Sequence, residues 1–246
     1  MRKHALLVAL LCGCSKPAPT TPQPKPPVTE VRAFGTLRAL VHEGKTGAQV
    51  QMANLVPGPH TYGVGALSEL RGEVTVLDDV VWLAYPNEDG TARVQRETAT
   101  NEGAALFVSA RVQNWTSQAI EEDVSFDTVD ERIAKMAEKS GLDTDRPFPV
   151  LIEGTFADLA WHVIDGKRAR ATGSHEDHQG AAVKGVLTEA SGTLVGFFSR
   201  HHHGVFTHMG QNTHFHAVLP ARSITGHVDR VGVRAGSVIR FPRDAS

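Results

Sequence analysis

The sequence is poor in cysteine and in aromatic residues, and it has almost no excess of charge of either sign. Of its 246 residues only two are cysteines, and aromatic residues account for 6%. Because Cys12 and Cys14 both lie near the start, the chain beyond them has no disulfide and no thiolate ligand, so any metal there must be bound by His, Asp or Glu. A formal net charge of −2, without a basic cluster interleaved with aromatics, argues against a nucleic-acid partner.

The sequence also lacks an apolar run long enough for a transmembrane helix, which needs about 20 residues. The run ALLVALL, residues 5–11, is much shorter; it follows the basic start MRKH and leads into LCGC, which ends at Cys14. This arrangement resembles the lipobox of bacterial lipoproteins, in which the cysteine is lipidated and becomes the mature N-terminus. We predict a lipoprotein-type signal peptide over residues 1–14; an ordinary signal peptide cut nearby is the alternative.

The residues after this signal predict where the protein is located. Ser15, next to the lipidated cysteine, resembles signals that direct lipoproteins to the outer membrane of Gram-negative bacteria. We expect an exported protein that faces the periplasm and contacts the membrane only through the lipid on Cys14. The proline-rich stretch SKPAPTTPQPKPP favours extended conformations and cannot bury a core. Residues 15–28 are accordingly predicted to be a tether.

Beyond the tether, most apolar residues recur at the spacing of two that is typical of β-strands. EVTVLD alternates, with Val74 and Val76 on one face and Glu73 and Thr75 on the other. VVWLAY and TARVQ flank PNEDG, whose turn residues predict a hairpin. Further predicted strands are VRAFGTL, AALFVSARVQNW, VLIEGTFADLAWHVI, GTLVGFF, THFHAVL, HVDRVGV and SVIRF.

One segment, DTVDERIAKMAEKSGL, has helical periodicity instead. A capping box from Thr128 to Glu131 and a stop at Gly141 are its predicted ends. Strands and long helices do not alternate regularly, which argues against a doubly wound parallel sheet. We predict an α+β fold dominated by antiparallel or mixed sheets in two halves, residues 29–145 and 146–246, divided at DTDRPFP.

Histidine is abundant, with 13 in the chain and nine of them between residues 175 and 227. His214 and His216 lie two residues apart on a predicted strand, so they point to one face while Phe215 points to the other. PARSITG supplies turn residues, so a hairpin can bring His227 alongside. Three neutral imidazoles leave a fourth tetrahedral position open, as in a catalytic zinc site. An imidazole-rich polar strand face is the alternative.

Three stretches form an ordered pattern that covers most of the chain from His60 to Val233. They are GVGALSELRGEVTVLDD, then IEGTF, then GTLVGFFSRHHHGVFTHMGQNTHFHAVLPARSITGHVD. The first resembles the G-x-G and L-x-GE stretch of bacterial acetolactate decarboxylases, and the second resembles their I-D-G-x-F. The third resembles their GTLVGF strand, loop, HxHF-like strand and GGHV. Because the order is preserved, the set is more specific than any one stretch.

The resemblance implies a zinc enzyme of two β-rich halves, in which His214, His216 and His227 align with the metal ligands. The expected cofactor is Zn2+, and another divalent transition metal is the alternative. Family members convert (S)-2-acetolactate into (R)-acetoin and CO2, so the expected partner is a small 2-hydroxy-3-oxo acid, and the family suggests a homodimer. Glu73 aligns with a family active-site glutamate; it would donate a proton or hold the substrate hydroxyl. An exposed carboxylate at a strand edge is the alternative.

Such a site suits this chemistry. Acetolactate carries a hydroxyl and a carbonyl on neighbouring carbons, so both groups can chelate one metal ion. Loss of CO2 places negative charge on the ketone oxygen, which a Lewis acid stabilises. An acid must then deliver a proton to carbon.

Two positions depart from the family pattern. Leu151 stands where the family usually has an arginine for the substrate, and no glutamate matches the one near the family's C-terminus. Arg200 and His203, in SRHHHGVFTH, are predicted to compensate as further catalytic residues. Other histidines that offer a proton donor or a second metal site are His162, His175, His178, His201, His202 and His208. Solvated loops are the alternative for the HHH and SHEDH segments.

The leading hypothesis is thus a metal-dependent decarboxylase that resembles acetolactate decarboxylase, with an altered substrate as one variant. The surplus of histidine and the missing arginine favour a second hypothesis, a non-catalytic periplasmic lipoprotein that binds metal. The predicted periplasmic location of the protein favours this second hypothesis too, because acetolactate is made in the cytoplasm. A different metal-dependent lyase or hydrolase on the same scaffold is the third.

Overall fold

The computed structural model describes residues 29–55, 59–168 and 181–243. The predicted signal peptide, the lipidation site at Cys14, the tether up to residue 28, and both His175 and His178 lie outside these residues. Within the described ranges, no helix is both long and apolar enough to cross a membrane.

The first of two sheets has seven strands, which come from the N-terminal part of the chain. They are β1 (Val31–Phe34), β2 (Val50–Gln51), β3 (Thr61–Leu67), β4 (Glu73–Leu77), β5 (Val80–Pro86), β6 (Ala92–Glu97) and β7 (Gly103–Arg111). Their order in the sheet is β1-β7-β3-β4-β5-β6, with β2 also paired to β7. The predicted hairpin is confirmed, because β5 and β6 pair antiparallel around the PNEDG turn.

The second sheet has six strands: β8 (Trp115–Ala119), β9 (Phe148–Val163), β10 (Val183–Phe198), β11 (Thr213–Leu219), β12 (Ile224–Val233) and β13 (Val238–Pro242). Their order is β10-β11-β12-β9-β13-β8, and β10 also pairs with β9. Strands β9 to β12 therefore close into a ring. All pairings described in both sheets are antiparallel, which confirms the predicted β-dominated fold with two sheets.

Helix α2 (Phe126–Lys139) lies in the segment with helical periodicity, but its start differs from the prediction. The N-cap is Ser125, and its side chain accepts no hydrogen bond from a backbone N–H of the helix. Thr128 already belongs to the first turn, so the predicted capping box is wrong. The C-terminal stop is right: Gly141 has φ of 84°, and the Leu142 N–H donates to the Ala137 carbonyl as in a Schellman motif.

A short helix, α1 (Leu37–His42), follows β1 and begins at Leu37, where the predicted strand VRAFGTL ends. Its N-cap is Thr36, whose hydroxyl accepts a hydrogen bond from the Ala39 N–H at 3.0 Å. Leu40 packs with Leu106 of β7 and with Leu70, which lies between β3 and β4, so this short helix is held in place by its apolar face.

The two sheets pack face to face, and the site lies between them. Their shared core contains Val64 and Val108 from the first sheet and Val195 and Phe197 from the second. Val74 and Val76 pack in a separate cluster on the outer face of the first sheet, which confirms their predicted separation from Glu73 and Thr75. The opposite face of the second sheet packs in one cluster with α2.

The chain passes from one sheet to the other between Arg111 and Trp115. Strand β8 and helix α2 therefore belong to the second layer, although both precede the boundary that was predicted at residues 145 and 146. The division into two separate halves at that boundary stays a prediction.

Candidate metal centre and active site

The histidines of THFHAVL and TGH meet between the sheets. His214 and His216 lie on one face of β11, while Phe215 and Ala217 pack into the core on the other. The β11–β12 hairpin forms as predicted, with a short 3-10 helix at Pro220–Arg222 in its turn, and it places His227 directly opposite His216. Directly opposed residues of neighbouring strands share a face. The hairpin therefore brings the three predicted ligands together.

A glycine sets the position of His227. Gly226 has φ of 154°, a conformation that other residues rarely adopt. A Cβ at this position would lie 2.5 Å from the carbonyl oxygen of His162 on β9. Only glycine lets β12 approach β9 this closely, so the residue before His227 is needed for the register of the strand.

The three rings are close enough to bind one ion. His227 Nδ1 lies 3.0 Å from His214 Nε2, and the ring centroids of His214 and His216 are 5.2 Å apart. Two nitrogens bound to one tetrahedral zinc at 2.0–2.1 Å would be roughly 3.4 Å apart. The exposed fractions of His214, His216 and His227 are 3%, 0% and 6%, so the three rings are shielded from solvent.

Burial keeps these imidazoles neutral. Burial first, and the neighbouring His208 second, lower the pKa of His214 to about 3, although the Phe206 carbonyl acts in the opposite direction. That carbonyl makes no hydrogen bond of standard geometry with Nδ1 of the ring. Burial first, and the neighbouring imidazoles second, also hold the pKa values of His216 and His227 well below the usual value. Neutral imidazole is the form that binds metals.

A hydrogen bond orients His216 within the cluster. Its Nδ1 lies 2.9 Å from the hydroxyl of Thr75 on β4, and the Thr225 hydroxyl donates to the same oxygen at 3.2 Å. His216 Nε2 is buried and has no hydrogen-bond partner among the described residues. A buried nitrogen without a partner is costly unless something occupies its lone pair. The residues present therefore fit a metal ion at this point.

Glu73 lies on β4 of the first sheet and faces the histidines of the second sheet. Its Oε2 lies 3.8 Å from His216 Nε2, and its Oε1 accepts a hydrogen bond from the Ile164 N–H at 3.2 Å. Gly72, with φ of 150°, lets the chain turn into β4 where a Cβ would lie 2.0 Å from the Ala84 carbonyl oxygen. The side chain is buried rather than exposed at a strand edge.

Burial raises the pKa of Glu73 well above its usual value. The Ile164 N–H works against this shift, and the nearby Asp229 carboxylate adds to it. Glu73 is therefore held in its protonated form more strongly than an exposed glutamate. A neutral carboxyl beside neutral imidazoles can donate a proton.

His162 and Asp229 extend the site beyond the predicted residues. His162 on β9 is directly opposite His227, and its Nδ1 lies 2.8 and 3.0 Å from the two carboxylate oxygens of Asp229. Its Nε2 lies 3.9 Å from Oε1 of Glu73. A β-bulge between Val228 and Arg230 accommodates Asp229. The sequence named His162 as one of several options but carried no signal for Asp229, because the bulge changes the alternation of faces.

The two further predicted catalytic residues lie apart from the three rings. Arg200 forms ion pairs with Glu138 at 3.4 Å and with Asp145 at 3.8 Å, next to α2. His203 lies 3.1 Å from Asn212 through Nε2, in the loop before β11. The structure does not bring Arg200 into contact with the cluster. His203 lines the outer cavity but not the inner one.

Of the other loop histidines that the structure describes, only His208 approaches the rings. The ring centroid of His208 is 5.1 Å from that of His227. His202 stacks on Phe206 and bonds to Ser199, and His201 faces Asp145, so both belong to the loop's own structure.

Leu151 lies in the apolar core between the sheets. It is directly opposite Val195 on β10, which is in turn opposite His216, so the side chains at positions 151 and 216 share a face. Leu151 packs there with Val195 and Phe197. The position that carries an arginine in the resembled pattern is thus an apolar wall in this chain.

Two neighbouring cavities, whose linings share Leu37, Val41, His208 and His227, lie beside the cluster. The inner one, of about 50 Å³, is bounded by Glu73, His162, His214 and His227 and is covered by Leu37, Leu40 and Val41 of α1. The outer one, of about 800 Å³, lies between α1 and the loop before β11 and also reaches His227. A small molecule therefore has a route from the surface to the histidines.

The described geometry agrees with the comparisons to known proteins. A family model for alpha-acetolactate decarboxylase matches residues 33–240. Among solved structures, acetolactate decarboxylase from Bacillus subtilis subspecies spizizenii is 15% identical with a TM-score of 0.68, covering 87% of this chain and 86% of that one. A Staphylococcus aureus protein described as similar to alpha-acetolactate decarboxylase is 19% identical with a TM-score of 0.64, covering 88% and 86%.

No curated protein sequence matches the chain significantly. The structural likeness, at such low identity, shows the shared fold. The family model covers most of the chain, including the strands that carry Glu73, His214, His216 and His227. On this match, the chain belongs to the alpha-acetolactate decarboxylase family.

Proposed function

We propose that the protein is a metal-dependent decarboxylase that converts a 2-hydroxy-3-oxo acid such as 2-acetolactate into the corresponding hydroxyketone and CO2. One observation carries the proposal: three buried, neutral imidazoles converge, and one of them, His216, lies 3.8 Å from a buried carboxyl group whose pKa is raised. Glu73, His214 and His227 line the inner cavity, and His227 also lines the larger outer one.

In this proposal, His214, His216 and His227 would hold a zinc ion and leave the rest of its coordination to the oxygens of the substrate. When bound, the metal supplies Lewis-acid stabilisation for the negative charge that decarboxylation places on the ketone oxygen. Thr75 keeps the His216 ring in place through its hydrogen bond to Nδ1. Such outer contacts fix which nitrogen of a ligand histidine faces the metal.

Glu73 is the proton donor. Cleavage of the bond to the carboxylate releases CO2 and leaves its electron pair on the neighbouring carbon and the ketone oxygen. The protonated Glu73 carboxyl then gives its proton to that carbon, and a proton from solvent restores the acid. The apolar residues of α1 that cover the inner cavity limit the access of bulk water to this step.

A combined metal and activity measurement tests the proposal. The purified protein is dialysed, its metal content is determined, and acetoin formation from racemic acetolactate is followed with and without zinc. We expect close to one equivalent of metal per chain and zinc-dependent acetoin formation. Fully loaded protein that makes no acetoin above the spontaneous rate would refute the decarboxylase.

A non-catalytic metal-binding lipoprotein is the second candidate function. It is favoured by the leucine at position 151 and by the absence of any glutamate after Glu189 in the sequence, since both would weaken catalysis. More than one equivalent of metal, together with no acetoin, would support it. The lipid anchor at Cys14, the periplasmic location and the homodimer stay predictions under either function.

A further inference from the structure

A substrate that is a carboxylic acid needs a cation in the cavity, and position 151 does not provide one. Leu151 is buried in the apolar core, and no arginine lines the inner cavity among the described residues. In the proposed function the metal takes the hydroxyl and ketone oxygens, so the carboxylate itself still needs a donor to offset the loss of its hydration. The following inference rests on the proposed function and concerns where the charge comes from.

Arg38 is the one arginine or lysine among the described residues that line the outer cavity. It lies in α1, next to Leu37, which lines both cavities. Its place is fixed by the backbone, because the N–H groups of Leu37 and Arg38 donate to the carbonyls of Val205 and Gly204 at 2.8 Å each. These bonds attach α1 to the loop on the other side of the cavity.

The guanidinium of Arg38 is available for a ligand. It has no ion pair or side-chain hydrogen bond with any residue in the described part of the chain. The acid nearest in sequence, Glu43, is paired with Lys45 at 2.8 Å. Asp229, the acid in the same cavity, is held by His162.

We propose that Arg38 binds the carboxylate of the substrate at the outer cavity, while the hydroxyl and ketone oxygens point inward to the three imidazoles. Arginine carries its charge at every physiological pH and presents two parallel N–H donors to a carboxylate. His203, on the same cavity, is engaged by Asn212, which leaves it less free for this role. In this orientation CO2 leaves toward the mouth of the cavity rather than into the core.

This contact acts mainly on substrate binding. The carboxylate loses its negative charge as CO2 departs, so the ion pair with Arg38 is stronger in the bound substrate than in the transition state. An interaction of this kind lowers KM and does not raise kcat. A charge-assisted hydrogen bond corresponds to a factor of roughly 10 to 100 in affinity.

Kinetics of Arg38→Gln on metal-loaded protein test the assignment. We expect KM for acetolactate to rise about 10- to 100-fold, with kcat unchanged or higher. Arg38→Lys keeps the charge and should restore part of the loss. Arg222→Gln, an exposed arginine in the β11–β12 turn that lines neither cavity, is the matched control and should leave KM unchanged. An unchanged KM in Arg38→Gln would overturn the inference even if the protein is a decarboxylase.

A binding measurement separates this inference from the decarboxylase proposal. The cobalt-substituted protein is titrated with 2,3-dihydroxy-2-methylbutanoate, in which the ketone is reduced so that CO2 cannot leave, and with butane-2,3-diol, which lacks the carboxylate. We expect Arg38→Gln to weaken binding of the acid at least 10-fold, as measured by the cobalt absorption spectrum, and to leave binding of the diol unchanged. Equal weakening of both ligands, or none, would refute the role of Arg38. Weaker binding of the acid alone supports the role of Arg38, even if no acetoin is formed.

Discussion

The imidazole of His216 lies between the two sheets and has no exposed surface. Its Nδ1 is hydrogen-bonded to Thr75, and its Nε2 has no partner among the described residues. We predict that His216→Ala loses the stoichiometric metal, because two remaining imidazoles bind zinc far more weakly than three. Metal analysis after dialysis measures this. His201→Ala, in the same histidine-rich part of the chain but exposed beside Asp145, should keep its metal. Full metal content in His216→Ala would show that the ion is bound elsewhere.

At position 73 the group that matters is a protonated carboxyl. Glutamine has the same shape and offers an oxygen to the Ile164 N–H, but it cannot give up a proton. We therefore expect Glu73→Gln to fold and bind metal normally while kcat falls by about 10²- to 10⁴-fold. Glu69→Gln, at a nearby residue that bonds to Thr46, is the control for a change of charge. Activity retained in Glu73→Gln would move the proton donor to another group.

At the scale of elements, the register between β12 and β9 decides whether His227 reaches the other rings. Gly226→Ala forces a Cβ against the His162 carbonyl and strains the backbone by about 1–3 kcal/mol. We predict a weaker metal site together with lower stability, measured as the zinc dissociation constant and the midpoint of urea unfolding.

Gly90→Ala is the matched control for this substitution. Gly90 also has a positive φ, 84°, but no atom lies within 4 Å of where its Cβ would be. Its substitution should cost about 1 kcal/mol of stability and leave zinc affinity unchanged. If Gly226→Ala behaves like Gly90→Ala, the close approach of β12 and β9 does not control the site.

For the whole molecule, the buried titratable groups predict how the stability of the metal-free protein depends on pH. The folded-state pKa values of His214, His216 and His227 lie below the ordinary value of 6.5. Below pH 6.5 the unfolded chain therefore binds three protons that the folded chain does not, which favours unfolding. Glu73 has the opposite effect, because its folded-state pKa is raised. Above pH 4.5 the folded chain keeps a proton on Glu73 that the unfolded chain loses, so lowering the pH favours folding at this group.

The three imidazoles outnumber the one opposing carboxyl, so stability should fall as pH drops from 6 to 5, by about 1.4 kcal/mol per pH unit for each uncompensated proton. Urea unfolding of the metal-free protein at several pH values measures this slope. Glu73→Gln removes the opposing contribution and should make the slope steeper. A stability that is constant between pH 7 and 5 would mean that the imidazoles are not held neutral in the folded state.

What the sequence determined by itself is local. The spacing of His214 and His216, the turn residues before His227 and the alternation around Glu73 are enough to predict strands, a hairpin and the faces of their side chains, since these depend only on the period of a β-strand. Gly141 was likewise sufficient to predict the end of α2. The family resemblance, carried by the same stretches, is confirmed.

What only the tertiary structure decided is which distant elements meet. The pairing of β9 with β12, far apart in sequence, places His162 and Asp229 at the site, and α1 brings Arg38 to the cavity that leads there. The loop before β11 turns Arg200 toward α2 instead. Such contacts depend on sheet packing, bulges and loop paths. Each of these is decided by small free-energy contributions from many residues, so no short stretch of sequence encodes them.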